Sequence, residues 1–304
     1  MKPNIIGIGE ILWDLLPSGA SLGGAPANFS CHTRALGAEA AVVSRVGNDR
    51  LGSDLLSRLE GLGVGTSGIT QDPIHPTGSV TAEVRSNGQP HYTIAEQVAW
   101  DYITANDWTL QKIPKVEAIC FGTLAQRSPV SAATIHQLVN STSPDALRVL
   151  DVNLRQDQVS KDLIESSLEI ANVLKLNDDE LPRISALLGI TGSATQRLIK
   201  ITKRFRLRMI AYTRGAEGSL LYDGTEWSDH RGTVTDLVDT IGAGDSFLAA
   251  VTMGILRDWP IGKINESAND VATFVCSQAG AIPPLPSQLI ARFSASGHLG
   301  GAIV

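Results

Sequence analysis

A chain of 304 residues with 43% hydrophobic content can bury a sizeable core, as one large α/β domain or as two ordinary ones. A net charge of −6, with Lys203-Arg204-Phe205-Arg206-Leu207-Arg208 as its basic run, argues against nucleic acid as a partner, and that run reads as a solvated helix end entering a strand. Cys31, Cys120 and Cys276 are far apart and show no CxxC spacing, which points to buried thiols in a reducing cytoplasm and away from a disulfide frame or a metal site.

The first apolar run, 5–11, reads as a buried strand; Glu10 and Asp14 interrupt it, so it is neither a signal segment nor a membrane span. Pro26 opens a helix whose spacing runs to Leu36-Gly37. Beyond it, 40–46, 116–121, 148–152, 172–176 and 209–213 read as buried strands, and 51–62, 131–139, 161–170, 178–188 and 194–205 read as helices. This alternation predicts right-handed crossovers and one parallel sheet covered on both faces, with ligands beyond the carboxyl ends of the strands. Segments 77–84 and 91–95 break the rhythm as a strand pair around the turn Ser86-Asn87-Gly88-Gln89-Pro90. No internal repeat or low-complexity tract is visible, and Ile282-Pro283-Pro284-Leu285-Pro286 reads as a short connector.

The run Asp239-Thr240-Ile241-Gly242-Ala243-Gly244-Asp245-Ser246-Phe247, ahead of the apolar stretch 248–255, carries the clearest chemical signal. Small residues at 242–244 leave the first-turn N–H groups of a helix open to an anion such as phosphate. A carboxylate at Asp245 can take a proton from a hydroxyl placed in line with a phosphoryl group. On local grounds, a tight turn with Asp245 as a simple cap explains the run equally well. Competing nucleotide motifs are weak: Leu12 stands where Gly7-Ile8-Gly9 would need its third glycine, and no GxxxxGK[ST] occurs. No HExxH or paired His/Cys spacing suggests a metal hydrolase.

A second segment decides between these readings. Leu22-Gly23-Gly24-Ala25-Pro26-Ala27-Asn28-Phe29, followed by Gly47-Asn48-Asp49-Arg50-Leu51-Gly52, resembles with the first run the two signature regions of ribokinase-like (PfkB) sugar kinases. Asp14, the 177–180 segment, Thr213-Arg214-Gly215-Ala216-Glu217-Gly218 and the stretch from Asn269 to Gly280-Ala281 fall in the same order, so the resemblance spans nearly the whole chain. It implies a single ribokinase-like α/β domain over 1–304, with a small antiparallel β lid from about 14–22 and 77–100 that closes over sugar. It implies Asp245 as catalytic base and Gly242, Ala243 and Gly244 as anion hole. Asp14, Gly23, Gly24 and Asn28 match the sugar-contacting positions. Asn177 and Glu180 match an NxxE element that organises Mg²⁺ through water; Thr213, Gly215 and Gly218 match a turn under the phosphates and ribose, and Asn269 a position beside adenine. Backbone carbonyls at Asp239 and Ile241, with the loop near Gly280, match a K⁺ site behind the anion hole.

Substrate is read from shorter fragments. Asp151-Val152-Asn153-Leu154-Arg155 resembles the DxNxR element of fructokinases and 2-keto-3-deoxygluconate kinases, with Arg155 placed to meet phosphate. The segment 121–128, which contains Gln126, and Val98-Ala99-Trp100-Asp101 look most like bacterial fructokinases, and Ala25 stands where ribokinase has Lys. The expected reaction is therefore ATP-dependent phosphorylation of a primary hydroxyl, fructose to fructose 6-phosphate, with 2-keto-3-deoxygluconate or ribose as rival acceptors. A non-catalytic sugar or nucleotide sensor would have no use for a base at Asp245. The expected partners are sugar and ATP, with neither nucleic acid nor membrane; a homodimer through the lid is compatible with the resemblance, and the short segment 15–22 bears on how much that lid covers.

Overall fold

The computed structural model describes residues 2–16, 19–84, 90–155, 159–233 and 235–294. From the amino end, β1 (Asn4–Ile8) leads through Gly9 and Glu10 into β2 (Leu12–Leu16) and β3 (Gly19–Gly23); α1 (Ala25–Ala35) then returns to β4 (Glu39–Gly47). The chain continues through α2 (Arg50–Gly61), β5 (Gly65–Asp72), β6 (Gly78–Val84), β7 (Pro90–Ile94) and α3 (Asp107–Lys112). Alternating units follow: β8 (Ala118–Gly122), α4 (Pro129–Asn140), β9 (Leu147–Asp151), α5 (Lys161–Ile170), β10 (Val173–Asn177), α6 (Glu180–Leu187), α7 (Ala194–Phe205) and β11 (Met209–Thr213). Beyond them come β12 (Ser219–Tyr222), β13 (Trp227–His230), α8 (Ala243–Ile255), α9 (Ile261–Cys276) and α10 (Ser287–Ser294).

Nine strands form one sheet in the order β13-β12-β11-β10-β9-β8-β1-β4-β5. Pairing is parallel from β11 across to β5, and β12 and β13 add an antiparallel edge. Successive residues of a strand point to opposite faces, so strands apolar throughout feed two cores. Ile5, Val149, Val173 and Ala211 pack with α8 and α9. Ile6, Ile8, Leu150, Leu174 and Ile210 pack on the other face with residues of α4 to α7. The order runs both ways from β1, to β4 and β5 on one side and to β8 and β9 on the other. Such a reversal opens a crevice at the carboxyl ends of the strands, where ligands bind in open α/β sheets.

The second sheet, in the order β3-β2-β6-β7, differs from a lone hairpin. β2 pairs antiparallel with β3 and β6 with β7, while β2 and β6 run parallel. The sequence suggests one strand over 5–11, but β1 stops at Ile8 because Gly9 takes φ +147 and turns the chain into β2. The turn read at Ser86-Asn87-Gly88-Gln89-Pro90 falls, apart from Pro90, outside the described residues. No helix among the described residues is long and apolar enough to cross a membrane.

Candidate active site

α8 is apolar almost to its start, and Ser246 to Ile255 are buried between α1 and α9. Burial of the helix body leaves its N-terminus as the part that meets the crevice. Gly242 caps it at φ +76, and a Cβ there would lie 2.4 Å from the Ala281 carbonyl oxygen, so only glycine lets the 280–281 loop pack this tightly. Ala243 N–H reaches Thr240 O and Ser246 N–H reaches Gly242 O, and no side chain caps the helix. The N–H groups of Gly244 and Asp245 thus remain without a partner among the described residues, at the positive end of the helix dipole. They open onto a cavity of about 940 Å³ lined by Gly242, Ala243, Gly244 and Asp245.

Asp245 is held by Asn28, whose Nδ2 donates to Oδ2 at 2.8 Å across the contact of α1 with α8. Burial and the nearby Asp151 charge push the Asp245 carboxyl up to about 6, against the opposing pull of the Asn28 bond, Lys175 and Arg155. A base poised in that range is ionised at neutral pH and still able to take a proton. Asn28 Oδ1 is buried with no partner among the described residues.

The same end of the cavity brings together Asp14, Gly24, Asn28 and Arg155. Burial raises the Asp14 carboxyl, and the Arg155 charge opposes that rise. Arg155 itself is exposed. Gly23 lies outside the cavity wall, pressed against the Asp14 carboxyl. Gln126 is also outside it: the turn after β8 directs its amide into the protein, where Nε2 donates to Gly122 O at 2.8 Å and Ser167 Oγ at 3.0 Å, and Oε1 meets His136 Nε2 at 3.0 Å. With every polar atom spent, Gln126 is part of the packing beneath the site and does not reach a sugar. Four aliphatic side chains, Leu12, Val80, Ile94 and Leu124, form the apolar side of this end.

Toward the other end, the ends of β10 and β11 lead Asn177, Glu180, Thr213, Gly215 and Gly218 to the wall, and α9 adds Asn269. Asn269 Nδ2 donates to Ser219 Oγ at 2.7 Å and Asn265 O at 2.8 Å, which fixes that stretch of α9 against β12. Glu180 is pinned by main-chain donors, Leu154 N–H on Oε1 at 2.9 Å and Asn177 N–H on Oε2 at 2.8 Å, while Asn177 Oδ1 accepts from Glu180 N–H at 2.8 Å. Each carboxylate oxygen keeps a lone pair for a water, and no cluster of three or more acidic, His or Cys side chains among the described residues could cage a metal. This donor set suits Mg²⁺ held through water and phosphate. Asp239 lies outside the wall and ties two loops together, accepting Ile241 N–H at 2.9 Å and Gly280 N–H at 3.1 Å, while Ile241 lines the cavity.

The family model for pfkB family carbohydrate kinases matches residues 19–288. The chain belongs to that family. A protein of Pyrococcus horikoshii named as an uncharacterized sugar kinase is 27% identical over 85% of this chain and 82% of its own length. Fructokinase-2 of Solanum lycopersicum is 28% identical over 93% of each chain. The solved ATP complex of the Pyrococcus horikoshii kinase superposes with a TM-score of 0.79 at 27% identity, covering 91% of this chain and 94% of that one. An ATP-bound fructokinase from Xylella fastidiosa shares the fold at a TM-score of 0.85 and 19% identity, covering 96% and 98%.

Two side chains of this sugar kinase's cavity, Lys175 and Glu10, escaped the reading of motifs, and Asn153 entered it only as part of the DxNxR segment. Lys175, 6% exposed on β10, donates from Nζ to Asp151 Oδ1 at 2.9 Å, and a Cβ on Gly244 would lie 3.0 Å from that ammonium. Burial pulls Lys175 down, but the Asp151 and Glu180 charges more than offset it and raise it above the ordinary lysine range. A permanent cation therefore stands behind the free N–H groups at the start of α8. Its signal was a lysine inside the buried run Val173-Leu174-Lys175-Leu176. Asn153 turns the chain at φ +40 and lines the cavity two residues before Arg155. Glu10 is buried and lines the acceptor end; its signal was an acid inside the first apolar run.

Proposed function

We propose that this sugar kinase uses ATP to phosphorylate a primary hydroxyl, with fructose as acceptor and fructose 6-phosphate as product. The observation that carries the proposal is Asp245, fixed by Asn28 at 2.8 Å in the first turn of α8, beside free N–H groups and in one cavity with Asp14. In this reading Asp14 and Asn28 Oδ1 accept hydrogen bonds from sugar hydroxyls and place one hydroxyl against Asp245. Asp245 takes the proton as the oxygen attacks, and the Gly244 and Asp245 N–H groups with Lys175 offset charge on the transferring group. Glu180 and Asn177 would hold the waters of the Mg²⁺ that accompanies the nucleotide, whose chemistry there is to neutralise phosphate charge. Thr213, Gly215 and Gly218 would run beneath the ribose and phosphates, and Leu237, Ile241, Ala272 and Cys276 give that end an apolar side for the base. The small sheet would act as the lid, excluding water that would otherwise compete for the phosphoryl group.

Support for fructose comes from the relatives named fructokinase and from the Asp151-Val152-Asn153-Leu154-Arg155 segment. Arg155 supports a second reading. It has no ion-pair partner among the described residues, and its charge bears on Glu10, Asp14 and Asp245, so an acidic acceptor such as 2-keto-3-deoxygluconate would find a counter-charge there. Coupled ADP release with fructose, 2-keto-3-deoxygluconate and ribose tests the choice: the highest kcat/KM belongs to fructose if the first reading holds, and to the acid if the second does.

A further inference from the structure

Glu10 is 2% exposed, yet it lines the acceptor end of the cavity with Asp14, Asn28 and Arg155. Its place is fixed by the start of α1: Gly24, at φ +104, comes so near that a Cβ on it would lie 2.4 Å from the Glu10 carbonyl oxygen. The main-chain N–H of Ala25 meets the carboxyl group. Oxygen Oε2 is shut away from solvent with no hydrogen-bond partner among the described residues. An unpaired buried oxygen is a standing cost, and native structures keep one where function requires it. Asn28 Oδ1, in the same wall, is orphaned in the same way while its Nδ2 is spent on Asp245. Two unsatisfied oxygens at one end of one cavity point to a polyhydroxylated guest.

The two oxygens have different chemistry. An amide oxygen only accepts, whereas a carboxyl group donates when it is neutral. The groups whose charge or bonds bear on Glu10 are Asp245 on α8, Arg155 beyond β9, the Ala25 N–H at the start of α1 and the Cys120 thiol on β8, while Asp14 on β2 and uncharged Asn28 on α1 share its cavity wall. Burial pushes the Glu10 carboxyl up to about 7, and the Asp245 charge adds to this against the main-chain N–H groups and Arg155. Asp245 rises less, to about 6. Below about pH 7 Glu10 therefore keeps its proton, in a range where Asp245 already ionises and can act as the base. Asp14 and Asp245 then serve as acceptors, and a sugar oxygen that carries no hydrogen needs a donor.

We propose, on the reading that the cavity takes a sugar acceptor, that Glu10 is a specificity-determining residue whose neutral carboxyl donates a hydrogen bond from Oε2 to a hydrogen-free oxygen of that sugar, its ring or carbonyl oxygen. Steady-state kinetics of wild type, Glu10→Gln and Glu10→Ala with fructose and with ATP, from about pH 6 to about pH 8.5, provide the test. Glutamine keeps an N–H donor of nearly the same shape. Its fructose KM should stay within about threefold of wild type near pH 6 and remain flat with pH, while the wild-type fructose KM climbs as pH rises through about 7. Alanine should raise fructose KM by about tenfold or more at every pH, with ATP KM unchanged in both variants. An unaltered fructose KM in Glu10→Ala, a Glu10→Gln as weak as Glu10→Ala, or an ATP KM rising in step with the sugar KM would each overturn the assignment while leaving the kinase reading in place. A wild type that neither binds nor phosphorylates fructose, 2-keto-3-deoxygluconate or ribose would overturn the sugar reading itself.

Discussion

Replacing Asn28 by Ala should move the acid limb of turnover to higher pH. Asp245 must be ionised to accept a proton; burial and Asp151 have raised it to about 6, and the Asn28 bond at 2.8 Å heads the influences that hold it down. A hydrogen bond to a charged group is worth roughly 1.5–3 kcal/mol, and about 1.4 kcal/mol corresponds to one pKa unit, so Asn28→Ala should lift Asp245 by roughly one to two units. The sign follows from which form works: turnover is held above the folded value and lost as pH falls through it. Near pH 7 the wild type is close to its plateau, whereas the variant would be only about a tenth to a half ionised. The assay is kcat at saturating sugar and ATP across pH, because weaker sugar binding without the Asn28 Oδ1 acceptor then enters KM and leaves kcat alone. Activity should recover near pH 9. Superimposable acid limbs, or a uniform loss at every pH, would refute the idea that Asn28 tunes the base.

Asp14→Ala removes an acceptor for sugar hydroxyls and should cost about 3 kcal/mol, roughly a 100-fold loss of kcat/KM for sugar, while ATP affinity from equilibrium binding stays unchanged. Gly242→Ala places a Cβ 2.4 Å from the Ala281 carbonyl oxygen at φ +76; it should destabilise by about 1–3 kcal/mol in thermal or denaturant unfolding and raise ATP KM as the helix start is pushed off the loop. Because Asp239 ties Ile241 to Gly280 behind the anion hole, activity at fixed ionic strength should be higher in potassium than in tetramethylammonium, and equal rates would remove the cation site.

What the sequence conveyed depended on whether a residue's environment is local. Gly242 to Asp245 announce themselves because an N-terminal anion site is built from consecutive residues, and the structure gives them the free N–H groups that the run predicts. The parallel strands are visible for a similar reason, since burial on both faces writes continuous apolar runs such as Ala118-Ile119-Cys120-Phe121. β5, β12 and β13 are not: Gly65–Asp72 is largely polar, and the other two are strands of only four residues, with β13 at the sheet edge. Gln126 shows the opposite error, because its fragment looked functional while its amide is spent on Ser167 and His136, which only tertiary packing reveals. Lys175 and Glu10 are ionisable residues inside apolar runs, and their partners Asp151, Asp245 and Arg155 come from distant strands and helices. Only the folded crevice makes that geometry visible.

The central claim is that Asp245 takes the proton from a sugar hydroxyl during phosphoryl transfer from ATP. Measuring turnover with fructose and ATP, together with fructose binding by calorimetry, for wild type and Asp245→Asn tests it most directly. Asparagine keeps the size of the side chain but cannot accept the proton, so the account predicts a fall in kcat of roughly 10²-fold to 10⁴-fold with fructose affinity largely retained. Near-normal turnover in Asp245→Asn would contradict it.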